Sequence, residues 1–168
     1  MASRGAGRIS QVSRDAPGTR ARLNGTMEEL RVGPNRLQIK INPEATPSGL
    51  FAFESTFPPG GVMPYLHFHR DQEEAFYVLE GTIEYTRGAE TILAPAGTMV
   101  QIPIGLPHRF RNASADAPAR HLALVTPGIA GLRMMRDFGK IDFMDRQAVL
   151  ETMHRHNTDL VHVEQGEL

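Results

Sequence analysis

Two histidines one residue apart, His67 and His69, open the stretch HFHRDQEE, and two carboxylates, Glu73 and Glu74, close it. Histidine is the commonest metal ligand in proteins, and a carboxylate is its usual oxygen-donor companion. Successive side chains of a strand point to opposite faces, so on a strand both imidazoles would project to the same side. The stretch therefore indicates either a cation site or a polar surface edge.

The residues between the histidines and the carboxylates, RDQE, are typical of a turn. We expect the strand that begins near Glu74 to run back antiparallel beside the strand of the histidines. Glu73 and Glu74 would then point to opposite faces, so only one of them could approach the imidazoles. Both faces of the following segment, AFYVLE, are apolar enough to be buried, and alternation alone leaves the choice open.

A third histidine, His108, follows the turn IGLP at the start of HRFRN, where a side chain could enter the interior from a different hairpin. Three neutral imidazoles and one carboxylate would leave a divalent ion with one or two positions for water, substrate or dioxygen. The chain has no cysteine, so any metal must be held by nitrogen and oxygen atoms. Open positions indicate a site for chemistry rather than a structural ion.

Short β-type runs, separated by turns rich in proline and glycine, fill residues 36–126. With no alternating helices between them, they predict an all-β fold, an antiparallel sandwich or barrel. The runs are RLQIKIN, LFAFESTF, EAFYVLEGTIEY with a break at Gly81, GTMVQIPIG, HRFRN and ARHLALVT.

The pattern changes near the C-terminus, where Asp145 could cap a helix and Val149, Met153 and His156 fall at helical spacing. We expect one terminal helix that packs on the barrel or on a partner.

The sequence is predicted to divide into a flexible N-terminal segment over 1–30, the barrel over 31–140, and the C-terminal helix and tail over 141–168. The arginine-rich start of the chain is typical of a transit peptide or of a disordered tail, and we favour the tail.

Composition excludes several classes of partner. A chain of 168 residues is the size of one domain, and its net charge of -1 argues against nucleic acid and anionic membranes as partners. The sequence contains neither an apolar run of membrane-spanning length nor a secretory signal, so we expect a cytoplasmic protein.

The segment Gly61 to Asn112 resembles the two sequence motifs of the cupin superfamily. GVMPYLHFHRDQEEAFYVLEG is similar to the first motif: glycine, five residues, His-x-His, three or four residues, glutamate, six residues, glycine. GTMVQIPIGLPHRFRN is similar to the second motif at its fixed positions, Gly97, Pro103, Gly105, His108 and Asn112. The resemblance implies a double-stranded β-helix, or jelly-roll, barrel.

The resemblance also implies the ligands. The family's glutamate lies six residues before its glycine, here Gly81, and this spacing selects Glu74. The implied ligands of one divalent transition metal are then His67, His69, Glu74 and His108. Fe(II) is narrowly favoured, and Ni, Mn, Zn and Co are alternatives, since this donor set suits all of them.

An apolar, partly aromatic pocket should adjoin these ligands. Strand phase puts Met63 and Tyr65 on the face of His67, Phe76 on that of Glu74, and Phe110 on that of His108. Such a lining suits a flat organic substrate, although barrel cores are filled with the same residue types. Tyr65 is the preferred substrate contact because its hydroxyl needs a partner. Two other polar residues have structural interpretations: Asn112 ties down a turn, and His121 is an ordinary strand histidine.

Cupins include dioxygenases, decarboxylases, isomerases, epimerases, storage proteins and sensory domains, so the fold does not choose a function. The chain is similar to small quercetinase-like dioxygenases and to cupins of aromatic polyketide pathways. It is therefore predicted to be a dioxygenase that acts on a flavonol-like, phenolic or enolic small molecule, with Glu74 taking the hydroxyl proton. The alternatives are a non-oxidative isomerase, cyclase or decarboxylase, and a small-molecule-binding barrel without turnover. We expect a homodimer formed through sheet edges.

Overall fold

The computed structural model of the chain describes residues 28–161, in which two antiparallel sheets enclose an apolar interior. Strand order is β1-β2-β3-β10-β5-β8 in one sheet and β11-β4-β9-β6-β7 in the other. The strands are β1 Glu29–Val32, β2 Asn35–Ile41, β3 Phe51–Phe57, β4 Val62–His69, β5 Glu73–Glu80, β6 Thr82–Arg87, β7 Glu90–Pro95, β8 Met99–Ile102, β9 His108–Asn112, β10 Ala119–Thr126 and β11 Thr158–Leu160. The prediction of an all-β jelly-roll barrel is confirmed.

The strands follow from alternation and from turn residues. Along β10, every second side chain from Ala119 to Val125 is buried, as expected of a strand with one face on the core. Gly81 joins β5 to β6 at φ +71°, and a Cβ at this position would lie 3.0 Å from the carbonyl oxygen of Pro118. Asn112 ties down the turn after β9, as predicted, since its amide donates to the carbonyls of Pro58 and Ala117.

The expected pairing of the two site strands is wrong. β4 pairs with β9 and β11, whereas β5 pairs with β8 and β10, so the two strands belong to opposite sheets. The short connection over 70–72 crosses between the sheets, where Gln72 is buried and its amide donates to the carbonyl of Pro127. A tight turn and an alternating strand look the same in sequence whether the chain forms a hairpin or crosses over.

Two α-helices follow β10 instead of the one predicted: α1 Ile129–Phe138 and α2 Arg146–Arg155. The C-terminal helix is confirmed in α2, whose cap Asp145 accepts hydrogen bonds from the amides of Gln147 and Ala148. Sequence reasoning missed α1 because Gly128 at its start offers no capping side chain, whereas α2, of equal length, begins at Asp145. Within 28–161, no helix has the length and apolar character needed to cross a bilayer.

The proposed domain boundaries stay a prediction. The N-terminal segment lies outside the described residues up to 27, and β1 begins at Glu29. The predicted barrel span 31–140 contains α1, and the predicted helix and tail contain the short strand β11. The arginine-rich start of the chain and His162 also lie outside the described residues.

The helices form a roof over the barrel interior. Arg136 of α1 makes a two-pronged ion pair with Glu28, at 2.8 Å for each prong, and reaches Glu44 at 3.2 Å. The apolar side of each helix faces inward, because the barrel supplies the surface that an amphipathic helix must cover. The buried roof residues are Leu132, Met134, Met135, Phe138, Val149 and Met153.

The barrel core contains a buried polar pair, His121 of β10 and Tyr85 of β6. The Tyr85 hydroxyl lies 2.8 Å from His121 Nδ1, and the imidazole packs against Phe57, Phe76 and Phe110. Burial lowers the pKa of His121 to about 3, against the opposing effect of the Glu74 charge. Burial, followed by the Glu74 charge, raises the pKa of Tyr85. Both side chains are therefore neutral in the folded protein at neutral pH.

Replacing the pair with His121→Leu and Tyr85→Phe should weaken the acid sensitivity of the fold. The unfolded chain binds a proton at His121 below about pH 6.5 and the folded chain does not, so stability falls as the pH drops from 6.5 toward 3. In the double variant, the free energy of unfolding of metal-free protein should depend on pH less steeply, by up to about 1.4 kcal/mol per pH unit. Denaturant titrations across this range measure the slope, with exposed His154→Ala as control. Equal slopes in the double variant and the parent would contradict the assignment.

Candidate metal centre

Three histidines on two neighbouring strands of one sheet meet inside the barrel. His67 and His69 lie on β4, His108 lies on β9 directly opposite His67, and all three are buried. Their ligand nitrogens lie within 4.8 Å of one another. The ring centroids are 4.3 Å apart for His67 and His108, and 5.1 Å apart for His67 and His69. This group could bind a metal ion.

The carboxylate of Glu74 faces the histidines from the opposite sheet. Its Oε1 lies 3.4 Å from His69 Nε2, and its Oε2 lies 2.9 Å from His108 Nε2. Glu73 points outward, where its carboxylate accepts a hydrogen bond from Gln101. Of the two carboxylates, the structure thus brings Glu74 to the imidazoles, across the barrel interior rather than along a hairpin.

Hydrogen bonds at the outer ring nitrogens orient the imidazoles. His67 Nδ1 lies 2.9 Å from the carbonyl oxygen of Tyr65, and His108 Nδ1 lies 3.1 Å from that of Leu106. A carbonyl can only accept, so each Nδ1 carries the proton, and the lone pair of Nε2 points inward. This tautomer is the one that binds a metal through Nε2.

The inner nitrogens lack conventional partners. Nε2 of His69 and of His108 are buried without a hydrogen bond to any described residue, although Glu74 is close. The contact distances are short, but their directions are not those of hydrogen bonds, as expected when the donor atoms are directed at a shared point. Buried nitrogen atoms rarely go unpaired, so these residues fit a divalent cation coordinated by nitrogen and oxygen.

The electrostatics of the centre favour a neutral imidazole at His67 and an ionised carboxylate at Glu74. Burial lowers the pKa of His67 well below its usual range, and repulsion from His108 and His69 adds to the effect. Burial acts to raise the pKa of Glu74, but attraction by His69 and the close contacts with His108 and His69 outweigh it and lower that pKa well below its usual range. These are the protonation states that ligand atoms need.

A cavity of about 30 Å³, enough for one water molecule, adjoins the centre. Of the four residues predicted to contact substrate, Met63, Phe76 and Phe110 line it. Tyr65 is not part of the lining: its ring packs on Phe143 at 5.7 Å, and its hydroxyl donates to the Phe143 carbonyl at 3.3 Å. The hydroxyl partner that sequence reasoning sought in a substrate is thus a main-chain oxygen, while the substrate-contact roles stay predictions.

The cavity lining also contains residues that sequence reasoning missed. Two are polar, Asn35 of β2 and Ser55 of β3, and no motif includes either. Four more belong to the roof and close the cavity with flexible sulfur-containing and aromatic side chains: Met134, Met135, Phe138 and Met153.

Thr158 is a further residue of the centre that the sequence did not indicate. It is fully buried on β11, opposite His69 of β4, and its hydroxyl lies 2.8 Å from His69 Nδ1. The same hydroxyl donates to the carbonyl of His156 at 3.3 Å, so it is free to accept from the imidazole. The two residues are 89 positions apart, and only the return of the chain after α2 brings them together.

Comparisons with known proteins agree with this fold. A family model described as "Cupin domain" matches residues 53–125. An RmlC-like cupin from Shewanella frigidimarina, of known crystal structure, superposes with a TM-score of 0.53 at 19% identity, over 63% of this chain and 88% of that one. Residues 53–125 thus match the cupin domain family, and the fold of the described residues is that of a cupin.

Two curated relatives match parts of the chain. Quercetin 2,3-dioxygenase of Bacillus subtilis is 41% identical over 55 residues, which is 33% of this chain and 16% of that protein. Polyketide synthase CurC of Streptomyces cyaneus is 41% identical over 64 residues, which is 36% of this chain and 41% of that protein. The chain thus spans less than half the length of either relative.

Replacing Thr158 with valine should weaken metal binding by about 10- to 100-fold, because it leaves His69 Nδ1 unpaired and the ring unoriented. Thr158→Ser keeps the hydroxyl and should retain most of the affinity. Competition with a chromophoric chelator for Zn(II) or Co(II) measures both constants. Equal affinity in Thr158→Val and the parent protein would show that the hydroxyl does not act on the centre.

His67→Ala and His108→Ala should each abolish stoichiometric metal loading, since each removes one of the converging nitrogens. His154→Ala is the matched control, because this histidine is 73% exposed and belongs to α2. Elemental analysis of the purified proteins measures occupancy. Full occupancy in both buried variants would exclude this group as the metal site.

Proposed function

We propose that the protein is a metal-dependent dioxygenase that acts on a flavonol-like, phenolic or enolic small molecule. The observation that carries the proposal is the convergence of three buried imidazoles, with the Glu74 carboxylate beside two of them, next to an apolar cavity that His67, His69 and Glu74 line. Such an arrangement leaves coordination positions for ligands other than the protein, and the cavity gives them room to enter.

His67, His69, Glu74 and His108 would hold one divalent transition metal. Fe(II) is narrowly preferred, and Ni, Mn, Zn and Co are alternatives, because three nitrogens and one carboxylate suit each of them. When bound, such an ion supplies a Lewis acid for a substrate hydroxyl and, where it is redox-active, a means of using dioxygen.

Glu74 is the proposed catalytic base. Its low pKa keeps it ionised at neutral pH, and both of its oxygens lie at the centre rather than in solvent. A carboxylate in this position can take the proton of an enol or phenol as the substrate oxygen approaches. Met63, Phe76 and Phe110 would contact the flat rings and exclude water.

Admission of a substrate of this class requires the roof to move. Ligand pockets typically measure about 300–1,000 Å³, and the cavity is about 30 Å³. The parts best suited to give way are Met134 and Met135 of α1 and Met153 of α2, since methionine side chains adapt readily to new shapes. The proposal therefore includes an outward shift of α1 and α2 on substrate binding.

The similarity to part of quercetin 2,3-dioxygenase supports the oxidative reaction and the flavonol-like substrate. The similarity to part of polyketide synthase CurC supports the second candidate, a non-oxidative reaction in which the ion stabilises an enolate during cyclisation, isomerisation or decarboxylation. Both candidates use the same ligands and the same base. They differ in whether dioxygen is consumed.

Oxygen uptake with a panel of flavonols, catechols and β-diketones, after loading of each candidate metal, tests the proposal. With one of these substrates we expect uptake that Glu74→Gln reduces by about 100-fold or more, because the base is lost. Glu73→Gln is the matched control, since the neighbouring carboxylate points away from the cavity. Metal content is measured in both variants, so that loss of the ion is distinguished from loss of the base.

Two results would overturn the oxidative reaction. Conversion of substrate without dioxygen would establish the non-oxidative alternative. Binding of the panel without conversion under any metal would leave a small-molecule-binding barrel.

A further inference from the structure

The cavity has polar groups at two separate places. His67, His69 and Glu74 form one, and Asn35, at the start of β2, belongs to the other. The Asn35 amide nitrogen donates to the carbonyl of Val62 at 3.3 Å, and Val62 opens β4 five residues before His67. The partner strand β9 covers this stretch in three residues, with Arg111 opposite Val62 and His108 opposite His67, which corresponds to about 10 Å. Asn35 thus lines the cavity at a point removed from the metal centre.

The orientation of the Asn35 amide is fixed by its neighbour. The Val62 carbonyl can only accept, so it must face the NH2 group, and the amide oxygen Oδ1 is left on the other side. Asn35 is 1% exposed, and Oδ1 has no hydrogen-bond partner among residues 28–161. A buried acceptor without a donor is costly, so Oδ1 is suited to a donor that residues 28–161 do not supply.

The surroundings of Asn35 do not explain an amide there by packing. The cavity lining next to it is apolar, with Val32, Leu37 and Phe57 from the same sheet. A leucine has the same branching at Cγ and would suit such surroundings without an unpaired oxygen. Val62 at the strand edge would lose one hydrogen bond, which water can replace, because this residue is 36% exposed.

We propose that Asn35 Oδ1 accepts a hydrogen bond from a hydroxyl group of the substrate, at the end remote from the metal-binding oxygen. This inference rests on the proposed function and narrows its substrate class. The substrate is a flat, largely apolar phenolic compound with two polar ends. An enol or phenol oxygen faces His67, His69 and Glu74, and a second hydroxyl on an outer ring faces Asn35.

Matched ligands test the inference. The Zn(II)-loaded protein is titrated without dioxygen, so that no turnover occurs, with 3-hydroxyflavone and with flavonols that carry one added hydroxyl on either outer ring. We expect at least one added hydroxyl to tighten binding by about tenfold. In Asn35→Leu this preference should vanish, while the dissociation constant of 3-hydroxyflavone should change by less than about threefold. Fluorescence titration gives all the constants.

A second measurement needs no variant, which covers the case in which Asn35→Leu fails to fold. Methylation of the added hydroxyl removes the donor, and in the parent protein it should abolish the gain in affinity. A hydroxyl preference that survives in Asn35→Leu, or the lack of any preference in the parent protein, would overturn the role of Asn35 and leave its oxygen to a buried water. Oxygen uptake with 3-hydroxyflavone would in that case still support the proposed function. Failure of every flavonol to bind metal-loaded protein would overturn both the flavonol-like class and this subsite.

Discussion

The cost of burying polar groups is the constraint on which this barrel depends. Three imidazoles and a carboxylate lie in an apolar interior, where an unpaired polar atom is expensive. The fold meets the constraint by giving His67, His69 and His108 each a partner at Nδ1, from a main-chain carbonyl or from a hydroxyl. Only the inward atoms are left, and they point at one another. A shift of one residue in the register of β4 would turn its histidines to the outer face. The strand pairing that forms the barrel therefore also sets the positions of the histidines.

The interior does not separate into a core and a site. Phe76 lines the cavity, and it also stacks on His121 of the buried polar pair, with ring centroids 4.8 Å apart. Phe110 likewise contacts the cavity and the edge of His121. Side chains that would contact a ligand are therefore held in place by the same packing that stabilises the barrel. The roof differs, because its methionines can repack at small cost.

Local patterns made much of this predictable from the sequence. The strands follow from the alternation of apolar and polar residues. The spacing from His67 to Glu74 to Gly81 is local, so it can be recognised in the sequence as a motif. The remainder depends on contacts between distant parts of the chain. Whether β5 lies beside β4 or across from it is decided by competing partners, β8 and β10. Thr158 and Asn35 belong to no motif, because they reach the cavity only through folding. For Tyr65, sequence reasoning expected a substrate to bind the hydroxyl, but in the structure the hydroxyl donates to a main-chain carbonyl, that of Phe143.

Thr158 connects the candidate metal centre to the helices of the roof. Its hydroxyl lies 2.8 Å from His69 and 3.6 Å from the sulfur of Met134, and β11 continues directly from the end of α2. Displacement of the helices thus perturbs the support of a coordinating ring, and by thermodynamic reciprocity occupation of the coordination sphere stabilises the closed helices. A bound ion would then also act on the helices that close the cavity, so that the metal-free and metal-loaded forms would differ in how readily α1 and α2 move.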